Sequence, residues 1–534
     1  MSVIRRSQSL YPFWGAGIKT ITGLDPLSMQ TTSEATYSML LPGISNLTNR
    51  IRYYGFYCWL LKLYFDKETH GNSIEQFRFI RRAELMIALI MQDGYPKVNQ
   101  ITGSRFAANW LNEPWEAFDL IKGADLVNGS DKVYWKHKSG AFGQYYLGPM
   151  KVLDLITVGA DKANDELFNI TESNLQRRVS GRHLAEVFDS TLTNEVRILF
   201  YQNINRGNLN RFDIPLLAKY FAINKVDPFD EEGELYTLMI NQQDYPSQII
   251  EETITFHRRE TLKGLIKIAI ERDNQFNTQA FIETCYCQQF GVNGQIATDT
   301  ELGWYTYQLN EYWQYACGCI LWAMLNYLEK LNGPQYLPQF INSFVIKIMT
   351  QMNYDINTEG TLKKTLAHFE FEWNEGEYVK EIKASVDRNE DILAAASGFY
   401  LIFQIFTNNS IYTKEIRAYI CRLKTIRDGN MVEGFEYIIK AFERPFNVFI
   451  EQFIYRFVVN RHRLVAMRKM GNGDLSTHKF IIDEQYISYI ENFIPHFTSP
   501  RMYTVVNLFS DLNFLEIKEN KLLLSGLHEL LNFE

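Results

Sequence analysis

Between residues 45 and 65 the chain reads SNLTNRIRYYGFYCWLLKLYF, and Leu47, Ile51, Tyr54, Cys58, Leu61 and Phe65 recur at spacings of 4, 3, 4, 3 and 4. That period marks one face of a helix. Tyr53, Phe56, Tyr57, Trp59, Leu60 and Tyr64 fill the other faces, so the helix is apolar nearly all round and is predicted to run through a domain interior. Arg50 and Arg52 fall at its first turn, where the helix dipole disfavours positive charge. They need either a buried carboxylate or an external anion.

The pattern elsewhere is also mostly helical. TTSEATYSMLLPG is bracketed by a Thr/Ser start and a Pro-Gly stop, helical patterns run from 73 to 122 around the break DGYPKVNQITGS, and two or three helices are predicted between 160 and 225. WKHKSGAFGQYYLGPMKVLDLI, with its glycines, proline and paired tyrosines, reads as a structured loop. KVDPFDEEGE reads as a domain boundary or exposed loop, and the helical pattern then continues to about 445. In the last eighty residues DEQYISYIENFI reads as an amphipathic helix. TSPRMYTVVNLFSDLNFL reads as a helix with Pro500 at its first position, FLEIKENKLLL as a strand, a Glu-Asn turn and a strand, and SGLHELL as a closing helix. The expected fold is therefore mainly α, a multidomain helical protein with a C-terminal winged-helix module. Its expected parts are an aromatic-rich domain over 1–160, a central helical region over 161–445, and a basic helix with the winged helix over 446–534.

Composition agrees with well-filled cores: 46% of the 534 residues are apolar and 14% aromatic, and large rings bury much area per residue. A net charge of −8 repels a polyanion at long range, so any nucleic-acid contact must be local. Six scattered cysteines do not form a disulfide framework and fit a reducing, cytoplasmic setting. The N-terminus lacks the apolar run of a signal peptide, and the most apolar stretch, ACGCILWAML, is about half the ~20 residues a membrane span needs. No membrane association is expected.

Candidate chemistry is sparse. The pairs Cys285/Cys287 and Cys317/Cys319 invite a zinc reading, but residues two apart on a helix do not share a face, and buried thiols are the simpler account. The Glu-Ile-Lys triplets at 381–383 and 516–518 match half of a metal-dependent nuclease pattern; the first sits in a helical segment, and Asp511 lies too close upstream of the second. Glu370, Glu372, Glu375 and Glu377 read as a solvated face. No phosphate loop or nucleophile elbow is present, and Gly15 and Gly17 lack the third glycine of a dinucleotide turn. Neither a catalytic residue, a metal site nor a cofactor is assigned. The clearest signal is RFVVNRHRLVAMRKMGNGDLSTHK, where Arg456, Arg461, Arg463, Arg468, Lys469 and Lys479 face one acid, Asp474. Such local charge attracts phosphate or an acidic protein, and Arg501 at a helix start joins the set.

Three stretches, GLDPLSMQTTSEATYSMLLPGISNLTNRIRYYGFYCWLL, GAFGQYYLGPMKVLDLI and SPRMYTVVNLFSDLNFLEIKENKLLLSGLHELL, resemble large, little-characterised helical proteins encoded in bacterial anti-phage defence clusters. The resemblance implies a non-enzymatic subunit working beside a helicase, nuclease or ATPase in recognising foreign DNA. The expectation is a non-catalytic DNA-binding or scaffolding subunit that uses Arg456, Arg461, Arg463, Arg468, Lys469 and Arg501. The alternative is a metal-dependent nuclease or effector without a recognisable motif. A ligand pocket is also conceivable at the aromatic helix, with Tyr145 and Tyr146 stacking on a base and Arg50 or Arg52 on its phosphate.

Overall fold

The computed structural model describes residues 19–20, 25–67, 71–126, 132–162, 164–172, 179–241, 254–287, 298–354, 360–423, 429–469 and 475–531. Gly15, Gly17 and the residues GNGD at 471–474 lie outside them. The chain is mainly helical, 64% helix against 8% strand, and among the described residues the strands form sheets of two or three members. Among the described residues no helix is long and apolar enough to cross a membrane.

Contacts divide the chain into two compact units, one comprising 1–35 and 306–498, the other 36–305 and 499–534. Both are discontinuous in sequence, unlike the three consecutive stretches expected. The 160/161 boundary falls in a β-hairpin that pairs Ile156–Ala160 with Glu166–Ile170, and KVDPFDEEGE leads into the helix Glu231–Asn241 inside the second unit.

In the second unit the aromatic segment forms the helix Arg52–Lys67, buried from Arg52 to Leu61. Leu47, assigned to its face by spacing, precedes the helix and is exposed. Tyr57 stacks on Tyr53 at 5.5 Å and meets Phe142 and Tyr146 at 5.0 Å, while Trp59 packs among Phe188, Phe200 and Phe221. The GAFGQYYLGPMKV stretch is helical rather than a loop, a π-turn Phe142–Tyr146 running into Leu147–Val152. What drives it helical is Glu84, a fully buried carboxylate on the helix Ser73–Gly94. It accepts the backbone N–H groups of Ala141 (2.9 Å) and Phe142 (2.6 Å) at the start of the π-turn, and the hydroxyls of Tyr57 (2.9 Å) and Tyr134. Gly140 is left-handed (φ +68°), and a Cβ there would collide with the Glu84 carboxylate, so the approach needs glycine. Burial pushes the Glu84 carboxyl above its usual range, against these four donors.

The first unit is built on the part of the helix Asp299–Lys330 from Thr306 onward, with Leu337–Gln351, Glu375–Asp387, Asp391–Asn409, Met431–Lys440 and Phe446–Phe453 around it. ACGCILWAML is a buried part of that long helix, as its composition predicts. Trp313 sits among Phe435, Phe453 and Phe457 and donates its indole N–H to the Gly429 carbonyl at 2.9 Å.

The C-terminal expectation needs one correction. DEQYISYIENFI is no helix: Tyr486–Tyr489 is a strand paired antiparallel with Phe480–Asp483 and with Gln335–Tyr336, followed by irregular chain. Its aromatic and β-branched residues alternate, and the register that places Ile482 opposite Ile487 turns Ile487 and Phe480 inward. The remaining elements occur in the second unit: helix Met502–Asp511, hairpin Leu515–Lys518 with Lys521–Leu524, and a 3₁₀ turn Gly526–Leu531. Glu519 and Asn520 both take positive φ, as a two-residue hairpin turn of this twist demands. Helix 502–511 starts two residues after Pro500, with Arg501 as its cap.

Removing the buried acceptor tests the Glu84 arrangement. Glu84→Ala leaves four donors unpaired and is expected to lower the unfolding free energy by more than about 3 kcal/mol, against about 1 kcal/mol for Tyr134→Phe. Urea denaturation followed by aromatic circular dichroism compares the two.

Candidate functional site

The basic stretch as far as Lys469 lies on one continuous helical run: Phe446–Phe453, a π segment Ile454–Asn460, and the helix Arg461–Lys469. Helical periodicity divides the basic side chains of Arg461–Lys469 into two sets, with the neutral His462 on the inner one. Arg461, His462 and Lys469 face inward and hold the carbonyls of the segment DPLS, residues 25–28. Lys469 Nζ donates to Asp25 O (2.5 Å), His462 Nδ1 to Pro26 O (3.0 Å), and Arg461 to Leu27 O (2.7 Å) and Ser28 O (3.2 Å). Four successive carbonyls, none in a helix or strand, are thereby satisfied by side chains of one helix.

The ring of His462 has a fixed role. Its Nε2 accepts the Lys479 backbone N–H at 2.9 Å, so the proton rests on Nδ1, and burial pushes its pKa down to about 4. Lys479 is buried and paired with Glu491. Arg456 pairs with Glu433 at 2.7 Å. Arg501, in the second unit, donates to Leu41 O (3.0 Å) and Ser38 Oγ (2.7 Å) and lies over the Tyr37 ring.

Arg463 and Arg468 remain, both exposed and without an ion-pair partner among the described residues. Between them on the same helix are Leu464, 65% exposed, and Met467, 63% exposed. Positions 463 and 467, and 464 and 468, are four apart and 464 and 467 three apart, which groups them on one face. The outer face of Arg461–Lys469 is thus a small patch of two arginines and two large apolar side chains.

The residues proposed for a ligand pocket in the second unit are engaged instead by protein. Arg52 donates to Glu232 (2.9 Å), to the carbonyls of Tyr220 and Ala222 and to Thr191. Arg50 pairs with Asp511 at 2.5 Å, and the other Asp511 oxygen accepts the Ile51 N–H. Burial outweighs Arg50 and raises the Asp511 pKa to about 6. Tyr146 is packed among Tyr53, Tyr54 and Tyr57, and Tyr145 edges onto Trp135. The two arginines therefore have the buried carboxylates that their helix-start positions require.

For the nuclease alternative, Glu381 lies on the helix Glu375–Asp387 and binds Arg388 and Ser385, and Glu516 pairs with Lys518 across one residue of a strand. Among the described residues no group of three or more His, Cys, Asp or Glu side chains is placed to hold a metal ion. Cys317 and Cys319 are buried thiols and Cys287 is exposed.

Two buried groups escaped the reading of the sequence. Glu84 is one. The other is Glu311 in the first unit, whose Oε2 accepts the Thr498 N–H at 2.7 Å; burial raises its pKa to about 7. Each is a lone acid inside an apolar helical run, AELMIAL and LNEYWQY, and that isolation was the available signal.

No protein-family model, curated protein or solved structure matches the chain.

Two measurements follow from this geometry. Arg461→Ala strips two backbone carbonyls of a charged donor and is expected to cost about 1.5–3 kcal/mol in urea unfolding, whereas Arg468→Ala should stay within about 0.5 kcal/mol. Glu311 holds its proton to higher pH in the folded chain than in the unfolded one, so its contribution is complete below the unfolded carboxyl range and is lost as pH rises through about 7. Glu311→Gln should therefore gain stability relative to the native chain between pH 5 and 8, and parallel stability profiles for the two would contradict the assignment.

Proposed function

We propose that this chain is a non-catalytic scaffolding subunit of a bacterial anti-phage defence assembly, working beside a helicase, ATPase or nuclease. It grips its partner with the outer face of the helix Arg461–Lys469. The observation that carries this reading is the pairing of free charge with exposed apolar surface: Arg463 and Arg468 flank Leu464 and Met467. Exposed Met and Leu on a helix suit an amphipathic protein segment, and the arginines select one with acidic residues beside its apolar ones. A phosphate backbone would use the arginines and leave both apolar side chains in water.

The winged-helix reading is kept in a different form. The helix Ile254–Ile270, the bridge residue Gln275, the helix Thr278–Cys287, then Met502–Asp511 and the hairpin 515–524 follow the order of such a module, interrupted by 306–498. Support comes from the pairing of Gln275 with Leu523, from the bonds Phe276 N to Leu522 O (2.9 Å) and Leu524 N to Asn274 O (2.8 Å), and from Phe276 packing on Phe509. In this reading Met502–Asp511 is the helix that would enter a DNA groove. Its Thr504, Asn507 and Asp511 are spent on Ser45, Asn49, Gln100 and Arg50. Such a module serves as scaffold rather than as a groove reader.

DNA contact is the second reading, and Arg463 with Arg468 is the observation in its favour. Two pairs of substitutions separate them. Leu464→Asp/Met467→Asp and Arg463→Glu/Arg468→Glu should each abolish co-purification of the partner subunit from cells that express the native gene neighbours, with thermal unfolding unchanged. If only the charge reversal matters, and DNA affinity falls with salt at a log–log slope of about −2, as two phosphate contacts require, the patch is a DNA contact and the partner reading fails.

A further inference from the structure

In the second unit, three helices enclose a cleft that nothing above uses. Its walls are Tyr64 and Lys67 from the helix Arg52–Lys67, Glu75, Arg78, Phe79 and Arg82 from Ser73–Gly94, and Tyr201, Ile204 and Asn205 from Asn194–Arg206. The cavity is about 300 Å³, at the lower end of the range for small-molecule sites.

The chemistry of the walls is selective. Arg82 is fixed: it grips Asp125 with Nε (2.9 Å) and Nη2 and donates Nη1 to the Ile204 carbonyl (3.2 Å), which ties two of the walls together. Arg78 is exposed and has no ion-pair partner among the described residues, although Glu75 lies one turn away on its own helix. Lys67 is held over the Tyr201 ring at 5.6 Å and has no carboxylate partner among the described residues. Phe79 packs on both Tyr64 (5.6 Å) and Tyr201 (6.3 Å), so the three rings form one aromatic wall. The Asn205 side chain, exposed at the mouth, makes no hydrogen bond to the described residues.

We propose that this cleft binds a nucleoside monophosphate, with the phosphate between Lys67 and Arg78 and the base against Tyr201. Two unneutralised cations match one phosphate, Arg78 through its planar fork and Lys67 as a point charge. Lys67 covers the Tyr201 ring, and when its ammonium turns to the phosphate the ring becomes a stacking face for a base, while Asn205 offers a donor and an acceptor to the base edge. Glu75 opposes further negative charge at the rim and can accept from ribose hydroxyls, so a triphosphate binds more weakly than a monophosphate. The same chemistry would receive the 5′-terminal nucleotide of a strand, and the measurement separates the two sources.

Isothermal titration of the full chain with AMP, GMP, CMP and UMP tests the site, alongside ATP, inorganic phosphate and a 5′-phosphorylated oligonucleotide. At least one monophosphate should bind, about tenfold more tightly than ATP or inorganic phosphate and at least as tightly as the oligonucleotide, and Arg78→Glu and Tyr201→Ala should each weaken it by about tenfold or more. Arg78 is exposed and unpaired, so Arg78→Glu should leave the melting temperature unchanged, and this keeps its effect on binding separate from folding. Failure of every monophosphate to bind, equal binding to the Arg78→Glu chain, or binding by the oligonucleotide alone would each overturn the proposal.

Discussion

A charge taken out of water has to be answered by its surroundings, and much of this protein is arranged to supply such answers. Glu84 dictates the most. Its two oxygens collect two backbone N–H groups and two phenols, and each of those partners constrains the chain: a π-turn begins at Phe142, Gly140 must be glycine, and Tyr57 is held at a fixed depth in the helix Arg52–Lys67. Arg81, fully buried three residues earlier, does the converse. It donates to the carbonyls of Ala124, Trp135 and His137 and so holds the same connecting segment by its acceptors. One turn of a single helix thus organises the segment that follows it by more than forty residues.

The same logic explains the basic stretch. A cluster of cations in an acidic protein suggests an external anion, yet here Arg461 and Lys469 are consumed on backbone and Arg456 and Lys479 on glutamates. Arg461, His462 and Lys469 satisfy the carbonyls of residues 25–28, a segment that makes no ladder or helix bonds of its own. Unpaired buried carbonyls are costly, and bonds to charged donors are among the stronger ones available. What is left for function is the opposite face of the helix, which is why its character is set as much by Leu464 and Met467 as by Arg463 and Arg468. That mixture is the physical ground for preferring a protein partner to a nucleic acid.

The two cations at the aromatic cleft, Lys67 and Arg78, stand out against this background. Arg50, Arg52 and Arg82 in the same unit are matched to Asp511, Glu232 and Asp125. Arg81 is answered by backbone carbonyls instead, whereas Lys67 and Arg78 are exposed and have no ion-pair partner among the described residues.

The sequence by itself determined whatever rests on local periodicity and turn chemistry. The all-round apolar helix at 52–67, the buried run ACGCILWAML, the mainly helical class and the Glu519-Asn520 hairpin follow from side-chain spacing and from residues that tolerate positive φ. It also posed the right question about Arg50 and Arg52, because a cation at a helix start needs a partner wherever it occurs. Only the tertiary structure decided who the partners are: Asp511 and Glu232 lie hundreds of residues away in one case and nearly two hundred in the other. Tertiary pairing likewise turned 486–489 from an expected helix into a strand, and packing on Glu84 turned an expected loop into a π-turn. The division of the basic helix into a structural face and a free face was beyond any local reading, since which side is buried depends on the distant segment 25–28 laid against it.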